Sequence, residues 1–127
     1  MGPLAEAKAV AIICVRDRAK ALPFYRDVLG LKLTSEDPFA AVFDIGGVPL
    51  RLSTVGDWTP HAHTVLGFNV ADIHETAALL SKRGVAFQRY PGFDQDAAGV
   101  WTSPDGAAKV AWFNDPDGNN LSLAELA

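Results

Sequence analysis

The amino-acid sequence predicts an α+β fold built from two βαβββ modules, each a cupped mixed sheet carrying one helix. Three observations carry this expectation. Apolar strand patterns and helical periodicity follow one another in the same order in both halves of the chain. Val15-Arg16-Asp17 matches Val70-Ala71-Asp72 at an offset of 55 residues. Leu50-Arg51-Leu52-Ser53 matches Leu121-Ser122-Leu123-Ala124 at an offset of 71. An internal repeat of this kind constrains the architecture before any single element does. The second offset exceeds the first by 16 residues, 71 against 55, so the second half carries an insertion. Its place is the Gly-, Asp- and Pro-rich stretch 90–105. A lone four-stranded module buries only one sheet face under its helix, so the two are expected to associate. The expectation is one domain over 1–127, with modules at 8–56 and 63–127.

The elements follow in order. Ala9 to Val15 is short, apolar and partly β-branched, which reads as a buried strand. Asp17 is placed to cap a helix over 19–29, where Leu22, Tyr25, Val28 and Leu29 recur at helical spacing. Pro23 removes one backbone donor there, so a late start or a kink is expected. Gly30 closes the helix. Strands are expected at 32–36, 40–45 and 48–55, with Gly46-Gly47 as a two-residue hairpin turn. In the second half, Thr64 to Val70 reads as a strand. Asp72 and Glu75 form a D-x-x-E capping box before a helix ending at Arg83, and Gly84 follows it. Further strands are expected at 85–89, 109–113 and 120–125, the last two joined by Asp115-Pro116-Asp117-Gly118.

Composition narrows the partners. The chain has 127 residues, a formal net charge of −4 and a pI of about 5.2. Neither nucleic acid nor an anionic membrane is expected as the main partner, since both need a basic surface. No apolar run reaches the roughly 20 residues of a spanning helix. Met1 to Lys8 lacks the pattern of a secretory signal. Cys14 is the single cysteine, so no internal disulfide can form, and a reducing, cytoplasmic setting is the simplest expectation.

Strand alternation assigns the faces. Leu50, Leu52, Leu121 and Leu123 are expected under the helices. Arg51, Ser53, Ser122 and Ala124 then face a cavity, together with Cys14, Val65, Gly67 and Asn69. The inserted segment Pro91 to Gly99, with Phe93 in it, is either a lid or a disordered surface loop. Trp58 and Trp101, near loops, could line an aromatic slot with Tyr90 and Phe93. Trp112 sits in an apolar strand, where core packing competes with ligand contact. Cys14 reads first as a small hydrophobe, since a nucleophile would need a base or positive field nearby. His61-Ala62-His63 could put two rings on one strand face. Two imidazoles alone make a weak metal site, and solvated histidines at a strand entrance fit the sequence as well. His74, at a helix start, reads as a solvent residue.

The segment Phe24-Tyr25-Arg26-Asp27-Val28-Leu29-Gly30-Leu31 and the turn Asp115-Pro116-Asp117-Gly118-Asn119 are informative together. With Val15-Arg16-Asp17, they resemble the vicinal oxygen chelate superfamily of glyoxalase I, extradiol dioxygenases and bleomycin-resistance proteins. The resemblance covers nearly the whole chain. It implies a cavity often completed by a second subunit, and a homodimer is expected. It also implies four metal-ligand positions, one on the first and one on the last strand of each module. Here these positions hold Val10, Arg51, Val65 and Ser122. Valine has no donor, a guanidinium repels a cation and one serine is a poor ligand. A register slip of two would put His63 in place of Val65 and restore one ligand only.

The expectation is therefore a small-molecule-binding protein without a catalytic metal or other cofactor, acting by sequestration or as a sensor. Its ligand would be apolar or aromatic and possibly anionic. The candidate contacts are Arg51, Ser122, Asn69, Cys14, Val10, Val65, His63, Trp101, Trp112 and Phe93. Arg51 is either a rim arginine paired to a carboxylate or a cavity arginine taking a ligand oxygen. The rival expectation is a glyoxalase- or dioxygenase-like enzyme with misregistered ligands or metal-free chemistry, for which His63, Asp94 and Cys14 are the acid–base candidates. A third is an interaction module with a vestigial cavity.

Overall fold

The computed structural model describes residues 2–127. Its strands are β1 (Ala11–Val15), β2 (Lys32–Glu36), β3 (Ala40–Ile45), β4 (Val48–Thr54), β5 (Thr64–Asn69), β6 (Trp101–Thr102), β7 (Ala108–Asn114) and β8 (Asn120–Leu126). The helices are α1 (Arg18–Pro23), continued by a π-helical turn at Phe24–Val28, and α2 (Ile73–Lys82). Two four-stranded sheets form, in the orders β1-β4-β3-β2 and β5-β8-β7-β6. In each, the first and last strands pair in parallel, β1 with β4 and β5 with β8. The other pairings are antiparallel. This is the α+β arrangement of two βαβββ units that the repeat implies. Among the described residues no helix is long and apolar enough to cross a membrane.

The expected side-chain parity holds. Ile13, Val15, Leu50, Leu52 and Phe43 of the first sheet are buried beneath α1 and its π-helical continuation. Ala111, Phe113, Leu121 and Leu123 occupy the matching face of the second sheet with Ile73, Ala77 and Leu80 of α2. Burying one such aliphatic side chain stabilises the fold by about 1.5–3 kcal/mol. The opposite, concave faces carry Ile12, Cys14, Arg51 and Ser53 in one sheet and Trp112, Ser122 and Ala124 in the other.

Local chemistry explains most boundaries. Asp17 accepts the N–H of Ala19 at 3.0 Å and starts α1 at Arg18, with no delayed start. Pro23 changes the periodicity beyond it. The N–H of Leu29 bonds to the carbonyl of Phe24 at 2.9 Å, five residues back, so the chain widens into a π turn in place of a simple kink. At α2, Asp72 accepts from the N–H of Glu75, one half of the expected capping box. Glu125 of β8, not Glu75, takes a second free donor, the N–H of Ile73 at 2.9 Å. Gly46 and Gly47 have φ of 54° and 92°, the left-handed pair that a tight hairpin requires.

One expected strand does not form. Residues 85–89 contribute only an isolated bridge from Phe87 to Phe113 and a bond from the N–H of Gln88 to the carbonyl of Trp112. A continuous strand would bring residue 90 opposite Val110. Trp101 stands there instead, 11 positions later (101 against 90). The edge strand of the second sheet is thus split, and the chain leaves it and returns as β6. The insertion placed at 90–105 therefore contains a strand of its own.

The two sheets lie side by side along β1 and β5 and are joined by the turn after β7. Asp115, 5% exposed, accepts from the N–H groups of Asp117 and Asn119, from the Asn119 side-chain amide and from the Tyr25 hydroxyl at 2.6 Å. Asn119 also donates to the carbonyl of Cys14, and Asp117 accepts from the Arg16 N–H and guanidinium. Burial, then the neighbouring Asp115 carboxylate, pushes the Tyr25 hydroxyl far above the ordinary phenol range. The turn is a clasp between the halves of the chain.

Candidate functional site

A broad, open cleft lies on the concave face of the second sheet. Parity on β7 puts Trp112 on this face, one strand from Ser122 of β8. The looped-out segment folds back over it. Gln95 fixes that segment by accepting the N–H of Tyr90 and donating to the carbonyls of Gln88 and Gly99, at 2.8–2.9 Å. Arg89 donates to the carbonyls of Gln95, Asp96 and Ala97. Asp96 takes the N–H groups of Ala98 and Val100, and its second oxygen lies 2.8 Å from His74 Nε2 of α2. Desolvation pushes the Asp96 carboxyl up. The bonds to His74, Val100 and Ala98 outweigh it and hold the group below the usual carboxylate range. His74 is exposed, as expected, and its contact with Asp96 ties the segment to α2.

These bonds position an aromatic wall. Tyr90 and Trp112 have ring centroids 5.4 Å apart and nearly perpendicular planes, and Phe93 meets Trp112 edge-on at 5.5 Å. Trp101 stands 5.7 Å behind Phe93. Edge-to-face contacts at these distances are favourable beyond simple burial. The wall borders a cleft of about 280 Å³ whose other side is Ala62, His63, Thr64 and Asn120. A second, more polar hollow of about 190 Å³ adjoins it, lined by His61, Gln88, Asn114 and Gly118 and sharing Ala62, Tyr90 and Asn120.

The sequence candidates divide by place. Phe93, Trp112 and His63 line the aromatic cleft, and Trp101 supports it. Cys14 and Val65 line a separate 120 Å³ hollow with Ile12, Trp58, His61 and Asn119, between β1 and β5. Trp58 is therefore not part of the aromatic slot; it lies under the Arg16 guanidinium at 5.9 Å. Trp112, for which core packing competed, lies on the concave face and is only half-buried, because Phe113 and Ala111 take the core parity. Ser122 faces Gly67, where a Cβ would come within 3.0 Å of its hydroxyl oxygen. Asn69 is exposed near the end of β5, and Val10 precedes β1, 51% exposed. His61 and His63 precede β5 and stack on one another at 5.1 Å. Arg51 lies on the concave face of the other sheet. Its charge helps hold the Asp37 carboxyl below its ordinary range, after the N–H groups of Phe39 and Ala40.

Thr64 and Asn120 were not among the sequence candidates. The signal was present: Asn120 shares the strand parity of Ser122 and Ala124, and Thr64 opens the strand paired with it.

Paired βαβββ sheets with cupped faces are the architecture of the glyoxalase/bleomycin resistance protein/dioxygenase superfamily. The chain belongs to that superfamily, whose profile matches residues 8–123. Among solved structures, it is similar to a superfamily member from Sphaerobacter thermophilus, at 27% identity and a TM-score of 0.70, with 92% of this chain and 96% of that one covered. A glyoxalase-family protein from Bacillus anthracis superposes with a TM-score of 0.78 at 16% identity, each chain fully covered. A fosfomycin resistance protein from Listeria monocytogenes gives 0.74 at 13% identity, with 96% and 94% covered.

The four positions that the resemblance assigns to metal ligands hold Val10, Arg51, Val65 and Ser122. These side chains offer one neutral oxygen and one fixed positive charge, a donor set that does not fit such an ion. Among the described residues no three His, Cys, Asp or Glu side chains are grouped to hold one elsewhere.

Proposed function

We propose that the protein binds a small aromatic or apolar molecule, without a catalytic metal, in the cleft walled by Tyr90, Phe93 and Trp112. The observation that carries this reading is the looped-out edge strand. Its hydrogen bonds are spent on holding aromatic rings against a concave sheet face, where they border an open cleft rather than a closed core. Ligand sites of this kind are largely apolar with a few polar fixtures; here His63 and Asn120 are those fixtures. The donor set at Val10, Arg51, Val65 and Ser122 supports a metal-free role, as sequestration or sensing.

The chain acts as one domain made of modules 8–56 and 63–127, in a reducing, cytoplasmic setting that suits its lone cysteine, and as a homodimer. Support for the dimer comes from apolar side chains left open around β1 and the first sheet: Val10, Ile12, Phe39 and Val48 are 41–73% exposed. Ser122, Cys14, Val65, Asn69 and Arg51 contact ligand only if the second copy extends the cavity toward the first sheet.

The test is a titration of the purified protein with 2-ethylnaphthalene, followed by tryptophan fluorescence, beside metal analysis after purification without chelators. Saturable quenching, with a rise in melting temperature, is the expected result. A ligand at 100 times its dissociation constant should add about 2.7 kcal/mol. Stoichiometric, tightly held metal, or no response to the probe, would overturn the reading.

A further inference from the structure

At the boundary between the aromatic cleft and the polar hollow, three side chains form a directed chain of hydrogen bonds. The Thr64 hydroxyl donates to Asn120 Oδ1 at 2.7 Å. The Asn120 amide nitrogen donates to the Tyr90 hydroxyl oxygen at 2.8 Å and lies 3.4 Å from Asn114 Oδ1. Asn120 is 5% exposed, and its amide is placed with the oxygen toward Thr64 and the nitrogen toward Tyr90 and Asn114. The Tyr90 oxygen is thereby made an acceptor. Its own hydrogen has no acceptor among the described residues and is left to the two hollows that Tyr90 lines.

We propose that the Tyr90 hydroxyl, oriented by Asn120, is the donor that selects ligands bearing an sp² oxygen acceptor on an aromatic ring. The ring would lie against Phe93 and Trp112, and the oxygen-bearing end would enter the hollow lined by Gln88, Asn114 and His61. The ligand class is a one- or two-ring aryl ketone, aldehyde or carboxylate, in keeping with hollows of about 280 and 190 Å³. Donation from Asn120 polarises the phenol and strengthens its outward bond. The apolar cavity between α2 and the chain after the π turn has no comparable fixture. Its one polar side chain, Thr76, already donates to the carbonyl of Asp72.

This inference rests on the binding reading above, and the experiment separates the two. Titrate wild type, Tyr90→Phe and Asn120→Asp with 2-acetylnaphthalene and with 2-ethylnaphthalene, which has the same shape without the oxygen. The neutral ketone avoids repulsion from the introduced carboxylate. Tyr90→Phe, which keeps the ring and removes only the hydroxyl, should lower the ketone-to-hydrocarbon affinity ratio about fivefold to tenfold, the effect of one lost neutral hydrogen bond. Asn120→Asp accepts from the hydroxyl and turns its hydrogen inward, so it should lower the ratio as well. An unchanged ratio in both variants overturns the inference and leaves the cleft reading standing. Binding of neither probe by wild type overturns both.

Discussion

The two sheets share an order of strands and a core, and differ on their concave faces. On the first, the edge strand β2 pairs along its length with β3, and the concave face carries Ile12, Cys14, Arg51 and Ser53. On the second, the equivalent edge is broken. Phe87 and Trp101 keep their places beside β7, and the chain between them becomes a wall of aromatic rings. A duplicated framework has thus kept its buried half in both copies. One copy was elaborated at a sheet edge, where no partner strand constrains the backbone. Binding chemistry tends to sit on such segments, held by a rigid scaffold.

The largest effect should come from the clasp that joins the halves. Asp115→Ala leaves buried donors of Asn119, Asp117 and Tyr25 without an acceptor, and should cost about 3–5 kcal/mol, read as a fall in melting temperature. Tyr25 adds a pH signature. Its proton is held more tightly in the folded chain than in the unfolded one. That share of stability is complete below the ordinary phenol pKa of about 10 and is lost as pH rises beyond it. Alkaline unfolding should begin there in wild type and flatten in Tyr25→Phe.

Gly99→Ala tests the loop without touching the first sheet. Its φ is 89°, and a Cβ would meet Phe87 Cβ at 2.9 Å. A loss of about 2 kcal/mol is expected, from left-handed strain and the clash together, with hydrogen exchange rising in residues 89–100 and unchanged in β1–β4. Phe93→Ala should weaken 2-ethylnaphthalene binding roughly tenfold, consistent with loss of an aromatic contact. Arg51→Ala, on the other face, should leave it unaltered. An equal loss in both would mean that the ligand spans the two sheets. The smallest effect belongs to the His74–Asp96 contact. Asp96 is held below its ordinary value, so its contribution is present above about pH 4 and lost as pH falls through that lowered value. Loop amides should lose protection, measured against their intrinsic exchange rates, between pH 5 and pH 3, and Asp96→Asn should show the same loss of protection at neutral pH.

Much of the framework was legible in the residues. The offsets between Val15-Arg16-Asp17 and Val70-Ala71-Asp72, and between the Leu50 and Leu121 segments, located equivalent strands. Alternation then set which leucines are buried. The same alternation placed Arg51 and Ser122 on concave faces, and the motif residues led to the superfamily.

The site was legible only in part. Residues 85–89 have strand chemistry, yet β7 offers one edge, and β6 takes half of it. Periodicity describes a segment's preference and cannot rank two segments that compete for one partner strand. Trp112 illustrates the same limit, since its face was readable and the rings gathered around it were not. Tyr90, Phe93 and Trp101 come together only because Gln95, Asp96 and Arg89 bind backbone groups across the loop. Those bonds join residues whose positions depend on where β6 returns. Sequence by itself determined the duplicated sheets and their buried faces, because these follow from local periodicity and side-chain chemistry. Tertiary structure alone decided that the insertion builds an aromatic wall and that Asn120 bonds to the Tyr90 hydroxyl, because both depend on hydrogen bonds between segments distant in the chain.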